Sequence, residues 1–158
     1  MTKWQKILIS FTIPLLAAAI GSAFTVTQIP TWYADLLKPS FNPPNWLFGP
    51  VWTILYLLMG YALYLVWIDT KAKKKTKQLA VMVFAGQLTL NVIWSITFFG
   101  AHNLMQSTLA IVVLWLAILW NILAFNKVSR AAACALVPYI MWVTFASLLN
   151  IAIWRLNM

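Results

Sequence analysis

Charge is what this chain has least of. Only 8% of its 158 residues are charged, against roughly 25% in a soluble domain, so its polar surface cannot coat a water-facing globule. It has no glutamate, and Asp35 and Asp69 are its only carboxylates. Acid/base chemistry by paired carboxylates is excluded unless these two loop residues meet. One cysteine, Cys134, allows no internal disulfide, and His102 as sole imidazole allows no zinc-type ligand set. What is abundant is apolar: 63% of the residues are hydrophobic, with ten Trp, nine Phe and five Tyr. Such a chain reads as an integral membrane protein. Ten tryptophans exceed what interfacial belts ordinarily use, so some of these rings need a second explanation. A net charge of +9 would suit nucleic acid only as a water-facing basic surface. Here the cations set membrane orientation, and no nucleic-acid partner is expected.

A spanning helix needs about 20 largely apolar residues. Five stretches qualify: Ile7–Thr27, Trp46–Ile68, Leu79–Gly100, Met105–Asn126 and Ala132–Trp154. They leave an 18-residue first connection (Gln28–Asn45), a basic second connection (Asp69–Gln78) and two very short turns. The expected fold is all-α: one compact five-helix membrane domain over residues 1–158, with consecutive helices as antiparallel neighbours. Lys3 and Lys6 before Ile7–Leu16 and Ala17–Ala19 imitate a signal peptide. The apolar stretch runs on to Val26, however, and reads as the first span. Its small pairs Ala17/Gly21 and Ala18/Ser22 permit close helix approach, within the bundle or across a dimer face.

Lys3, Lys6, Lys71, Lys73, Lys74, Lys75, Lys77, Lys127 and Arg130 fall on one side of the membrane, and only Lys38 and Arg155 on the other. Cations in short loops favour the cytoplasm. The expected topology, in a bacterial cell membrane, is amino terminus inside and carboxyl terminus outside. Membrane lipid is the expected partner of the bundle, and anionic headgroups suit the lysine run.

The first connection carries Trp32, Tyr33, Phe41 and Trp46 among three prolines within Pro39–Pro44. Prolines disfavour helix, and the aromatics are costly to leave in water, so the segment is expected to pack as a lid. Trp32 and Trp46 also fit an interfacial belt; Trp52 lies deeper. At about 100° per residue, Gly49, Trp52, Tyr56, Met59 and Leu63 share one face of the second span. Gln87, Asn91, Trp94, Ser95 and Phe98 do so on the third, and Tyr139, Trp142, Ala146 and Asn150 on the fifth. Each face joins large π surfaces to one or two neutral hydrogen-bonding groups, which in hydrocarbon turn inward. Gln87 and Asn150 serve equally well as glue between helices. Trp52, Asn91 and Trp142 point to a shared, uncharged pocket for a flat, hydrophobic ligand.

The residues Trp32-Tyr33, Lys38-Pro39-Ser40-Phe41, Pro43-Pro44, Trp46, Gly49-Pro50-Val51-Trp52, Gln87, Asn91, Trp94-Ser95, Pro138-Tyr139, Trp142, Phe145-Ala146 and Leu149-Asn150 resemble the tryptophan-rich sensory protein/translocator protein family (TspO/MBR), once called peripheral benzodiazepine receptors. The resemblance implies five membrane helices, often as a homodimer. It also implies a pocket beneath the first loop for porphyrins such as protoporphyrin IX or heme, for benzodiazepine-type drugs and, in animal members, for cholesterol. Positions matching Tyr33, Trp52, Asn91, Trp142 and Ala146 are implied to contact ligand, and Tyr56 and Trp94 are added here as ligand-binding candidates. In some bacterial members the tryptophans matching Trp52 and Trp142 are linked to light- and oxygen-dependent porphyrin degradation, which makes these two the candidate catalytic residues. The chain departs from the family twice. Ile151 stands where the cholesterol-recognition pattern needs a tyrosine, and Leu109-Ala110-Ile111 stands where some members carry an acidic residue.

Three functions follow in order: a receptor or sensor binding porphyrins and other flat hydrophobic molecules, a photo-oxidative porphyrin-degrading enzyme, and a tetrapyrrole or lipid transporter. Proton-coupled transport is disfavoured, because no carboxylate or histidine falls in a span. No obligatory cofactor or metal is expected.

Overall fold

The computed structural model describes residues 2–158. Its elements are α1 (Lys3–Thr25), α2 (Trp32–Asp35), α3 (Phe48–Ile68), α4 (Lys74–Ser95), α5 (Leu104–Asn126), α6 (Arg130–Ala135) and α7 (Val137–Leu156). There is no strand among the described residues. Five helical stretches are long and apolar enough to cross a membrane. In hydrocarbon each backbone N–H and C=O needs an internal partner, and a helix supplies one within the segment.

Several helices outrun their apolar spans. The helix α1 begins at Lys3, where Thr2 Oγ1 accepts from the Gln5 amide at 3.3 Å and Gln5 Oε1 accepts from the Thr2 amide at 2.8 Å. This reciprocal cap satisfies two donors that a helix start leaves open. The helix α4 begins at Lys74 rather than Leu79, because lysines can extend a helix into water at no solvation cost. The link before it is therefore short and turns on Asp69. The carboxylate accepts from the amides of Ala72 at 2.7 Å and Lys71 at 2.9 Å, and Lys77 Nζ donates to the Asp69 carbonyl. The Ala72 amide, foremost, holds the carboxyl below its usual range.

The fifth span is broken in two at Leu136, between α6 and α7. Pro138 lacks the amide proton that would bond the Cys134 carbonyl across Leu136. The third span ends in a π-helical turn, Ile96–Gly100, which carries Phe98 and Phe99 inward.

The packing order differs from the expectation that linked helices are neighbours. The backbones of α3 and α4, though joined by a short link, stay apart, and the two helices meet through long inward side chains. The helix α1 lies between them, and the circuit closes from α4 through α5 to α6 and α7 and back to α3. The cause is visible at Pro14 of α1. Its ring removes the amide that would bond the Ser10 carbonyl, and that carbonyl lies against Gly60 of α3. A Cβ on Gly60 would stand 3.1 Å from Ser10 O and 2.7 Å from Phe11 Cδ1. Backbones approach there as only glycine allows. Further along the same face α1 presents buried Ala17 and Gly21, and Gly21 meets Ser95 of α4. That small pair works within the bundle.

Candidate ligand-binding site

Two polar networks tie the inward faces together. In the first, the Tyr56 hydroxyl donates to Asn91 Oδ1 at 2.6 Å, and Asn91 Nδ2 donates to the Tyr139 hydroxyl at 3.0 Å. The Tyr139 hydroxyl in turn donates to Gln87 Oε1 at 3.1 Å, and Gln87 Nε2 faces Met59 Sδ at 4.0 Å. One chain of bonds thus joins α3, α4 and α7. In the second, Trp94 Nε1 donates to Asn150 Oδ1 at 3.0 Å, while Asn150 Nδ2 donates to Thr108 Oγ1 at 2.7 Å and lies 3.3 Å from Ser107 Oγ. This network joins α4, α5 and α7. Gln87, Asn91 and Asn150 are all buried. A buried amide whose two ends are bonded is stable where a half-bonded one is costly.

Above the first network lies a cavity of about 330 Å³, within the size range of small-molecule sites. All seven ligand-binding candidates border it: Tyr33, Trp52, Tyr56, Asn91, Trp94, Trp142 and Ala146. Trp52 sits centrally, with ring centroids 5.9 Å from Trp94, 5.8 Å from Tyr56 and 6.3 Å from Tyr139. Trp142 packs edge-on against Phe48 at 6.2 Å and leans on Phe145 at 5.4 Å. No Asp, Glu, Lys, Arg or His borders the cavity among the described residues. Its polar groups are mostly engaged with one another. Trp142 Nε1 is buried without a hydrogen-bond partner among the described residues.

The first connection covers the cavity, anchored by Tyr33, which is only 2% exposed. Its hydroxyl donates to Asn42 Oδ1 at 2.6 Å. Burial pushes the Tyr33 phenol up to about 12, so it remains a neutral donor. Trp32 stacks on His102 with centroids 4.2 Å apart, and His102 Nε2 meets Gln28 Oε1 at 3.0 Å. Leu37 is bound twice by Asn157, through its amide at 3.0 Å and its carbonyl at 2.9 Å. Two expected lid aromatics do not pack inward. Trp46 is 71% exposed and Phe41 half exposed. Trp46 is the middle residue of the 3-10 turn Asn45–Leu47 at the mouth of α3, where an indole suits the membrane interface. Phe41 keeps only an edge contact with Phe145 at 6.3 Å.

Sequence reasoning missed one wall. The helix α1 contributes Leu15, Ala18, Gly21 and Ser22 to the cavity. Small residues at this spacing were the available signal, though they do not by themselves distinguish a cavity wall from a packing seam.

The TspO/MBR family model matches residues 10–155. "Tryptophan-rich protein TspO" of Chlorobaculum tepidum is 48% identical over 137 residues, covering 87% of this chain and 86% of that protein. A protein of the same name from Archaeoglobus fulgidus is 41% identical over 157 residues, covering 96% and 97%. The "Translocator protein" of Homo sapiens is 38% identical over 144 residues, covering 91% and 85%.

Proposed function

As the chain belongs to the TspO/MBR family of multi-pass membrane proteins, we propose that it is a receptor or sensor whose aromatic cavity binds porphyrins, protoporphyrin IX or heme, and benzodiazepine-type ligands. The observation that carries this reading is the wall itself: Trp52, Trp94 and Trp142 around an uncharged space. Indole faces offer a planar π-system dispersion and offset stacking. The protein works as a homodimer in the cell membrane, with the lysine-bearing end in the cytoplasm. Titrating the purified protein with protoporphyrin IX in the dark, followed by porphyrin absorbance and tryptophan quenching, tests the reading. Saturable quenching supports it, and quenching no greater than in empty micelles overturns it.

A second reading is light- and oxygen-dependent porphyrin degradation. It draws on the fact that Trp52 and Trp142 border the same cavity. An illuminated porphyrin generates oxidants, and indoles are the residues there most readily oxidised. The double variant Trp52→Phe/Trp142→Phe keeps rings for stacking but removes both indoles. Bound porphyrin bleached under light by the unmodified chain and spared by the variant supports degradation. Equal bleaching in both leaves a binding protein.

A further inference from the structure

Named contacts close three sides of the cavity. At the lidded end, Leu37 is held by Asn157, Trp32 is stacked on His102, and Tyr33 is bonded to Asn42. Between α4 and α7 the bonds Trp94–Asn150 and Asn91–Tyr139 shut the wall. Between α1 and α4 a Cβ on Gly21 would stand only 3.2 Å from Ser95 Oγ. The cavity-lining residues of α4 and α7 are all buried or half-buried. Those of the α1–α3 seam are not: Leu15, Ala19 and Ser22 of α1 and Gly49 and Thr53 of α3 border the cavity and are also exposed on the outside of the bundle.

This seam is V-shaped. At its lysine-side end Gly60 brings α3 onto Ser10 and Phe11, whereas at the lidded end a Cβ on Gly49 would meet nothing within 4 Å. From Leu15 to Ser22 the open edge of α1 runs about 10 Å along its axis. The outer surface of a spanning helix faces hydrocarbon, so the gap opens into the leaflet at the lidded end, not into water.

We propose that this α1–α3 gap is a lateral portal through which a flat apolar ligand passes between the bilayer and the cavity, with Ala19, Ser22, Gly49 and Thr53 as its rim. The inference rests on the reading that the cavity binds such a ligand. An apolar ring already dissolved in the membrane crosses the rim without rehydration and without breaking a lid contact. The axial route requires the Asn157, His102 and Asn42 contacts to break together. The rim is made of small side chains, which exclude little volume.

The test uses the full chain in lipid nanodiscs, with protoporphyrin IX exchange followed by tryptophan quenching in a stopped-flow instrument. Thr53→Trp and, as a milder rim variant, Gly49→Leu narrow the gap from α3. Asn157→Ala frees Leu37 and loosens the lid. The portal predicts that association and dissociation both slow in the rim variants, by about tenfold for Thr53→Trp, while their ratio moves far less. It also predicts that Asn157→Ala exchanges within about twofold of the unmodified chain. Wild-type rates in both folded rim variants overturn the portal, as does faster exchange in Asn157→Ala. Weaker binding through faster dissociation alone also overturns it, since the rim would then be part of the binding wall. If the unmodified chain does not bind protoporphyrin IX in the equilibrium titration, the reading of the cavity fails and the portal fails with it. Binding with unaltered rim kinetics removes the portal alone.

Discussion

Asn91 Nδ2 donates to the Tyr139 hydroxyl across 3.0 Å of buried space, and Tyr56 occupies the other end of the same amide. From the helix face alone, Asn91 looks like a polar anchor for a ligand. In the folded chain both ends of its amide are bonded to tyrosines, so its first role is to hold α3, α4 and α7 in register.

Asn91→Leu is therefore expected to lower stability with no ligand present. It strips the Tyr56 hydroxyl of its acceptor in a buried setting, a loss of about 1–3 kcal/mol. Hydrogen bonds between membrane helices average nearer ~0.6 kcal/mol, which sets the scale if the tyrosines find other partners. Unfolding in detergent with and without protoporphyrin IX separates the effects. An unchanged midpoint in the apo protein would show that the network carries no stability.

Ala146 is buried at the cavity wall, opposite no polar partner. Ala146→Phe should fill the space and abolish binding of protoporphyrin IX and of a benzodiazepine-type competitor alike. Competition titrations check this, and loss of one ligand with retention of the other would mean two sites.

Gly60 and Gly49 should respond oppositely to alanine. In Gly60→Ala the new methyl meets Phe11 and Ser10 O, and overpacking of this kind costs about 1–3 kcal/mol. In Gly49→Ala the methyl enters open space, leaving the gain in helix propensity, about 0.5–1 kcal/mol. The two unfolding midpoints, moving in opposite directions, are the expected result.

Topology is checked by reporters active only in the cytoplasm, fused to each end. The cation asymmetry predicts activity at the amino terminus and none at the carboxyl terminus. The reverse pattern would place the lid in the cytoplasm.

Not every buried amide is built alike. Asn121 of α5 is 1% exposed, and neither end of its amide finds a partner among the described residues, whereas Asn91 and Asn150 are bonded at both ends. In sequence the three are indistinguishable: an asparagine on a long apolar helix. Which one is satisfied depends on what a neighbouring helix presents at the same depth. For Asn150 that includes Thr108 and Ser107 of α5, a helix whose sequence displays no evident functional face.

The amino-acid sequence by itself determined the five spans, because an apolar run in hydrocarbon must satisfy its own backbone and only a helix does so within one segment. It also determined which faces of the second, third and fifth spans turn inward, because Asn91, Gln87 and Asn150 have no acceptable partner in lipid. Tertiary structure alone decided that α1 lies between α3 and α4. Lipid-facing and buried surfaces are both apolar, so hydrophobicity carries little information on rotation or neighbours, and the choice falls to close contacts such as Gly60 on Ser10. That placement makes α1 a cavity wall and leaves its seam with α3 open at the lidded end. Ten tryptophans were visible at once, but only the packing separated the exposed Trp4, Trp46 and Trp120 from Trp52, Trp94 and Trp142 around one space, because an indole is at home both at a membrane interface and against another ring.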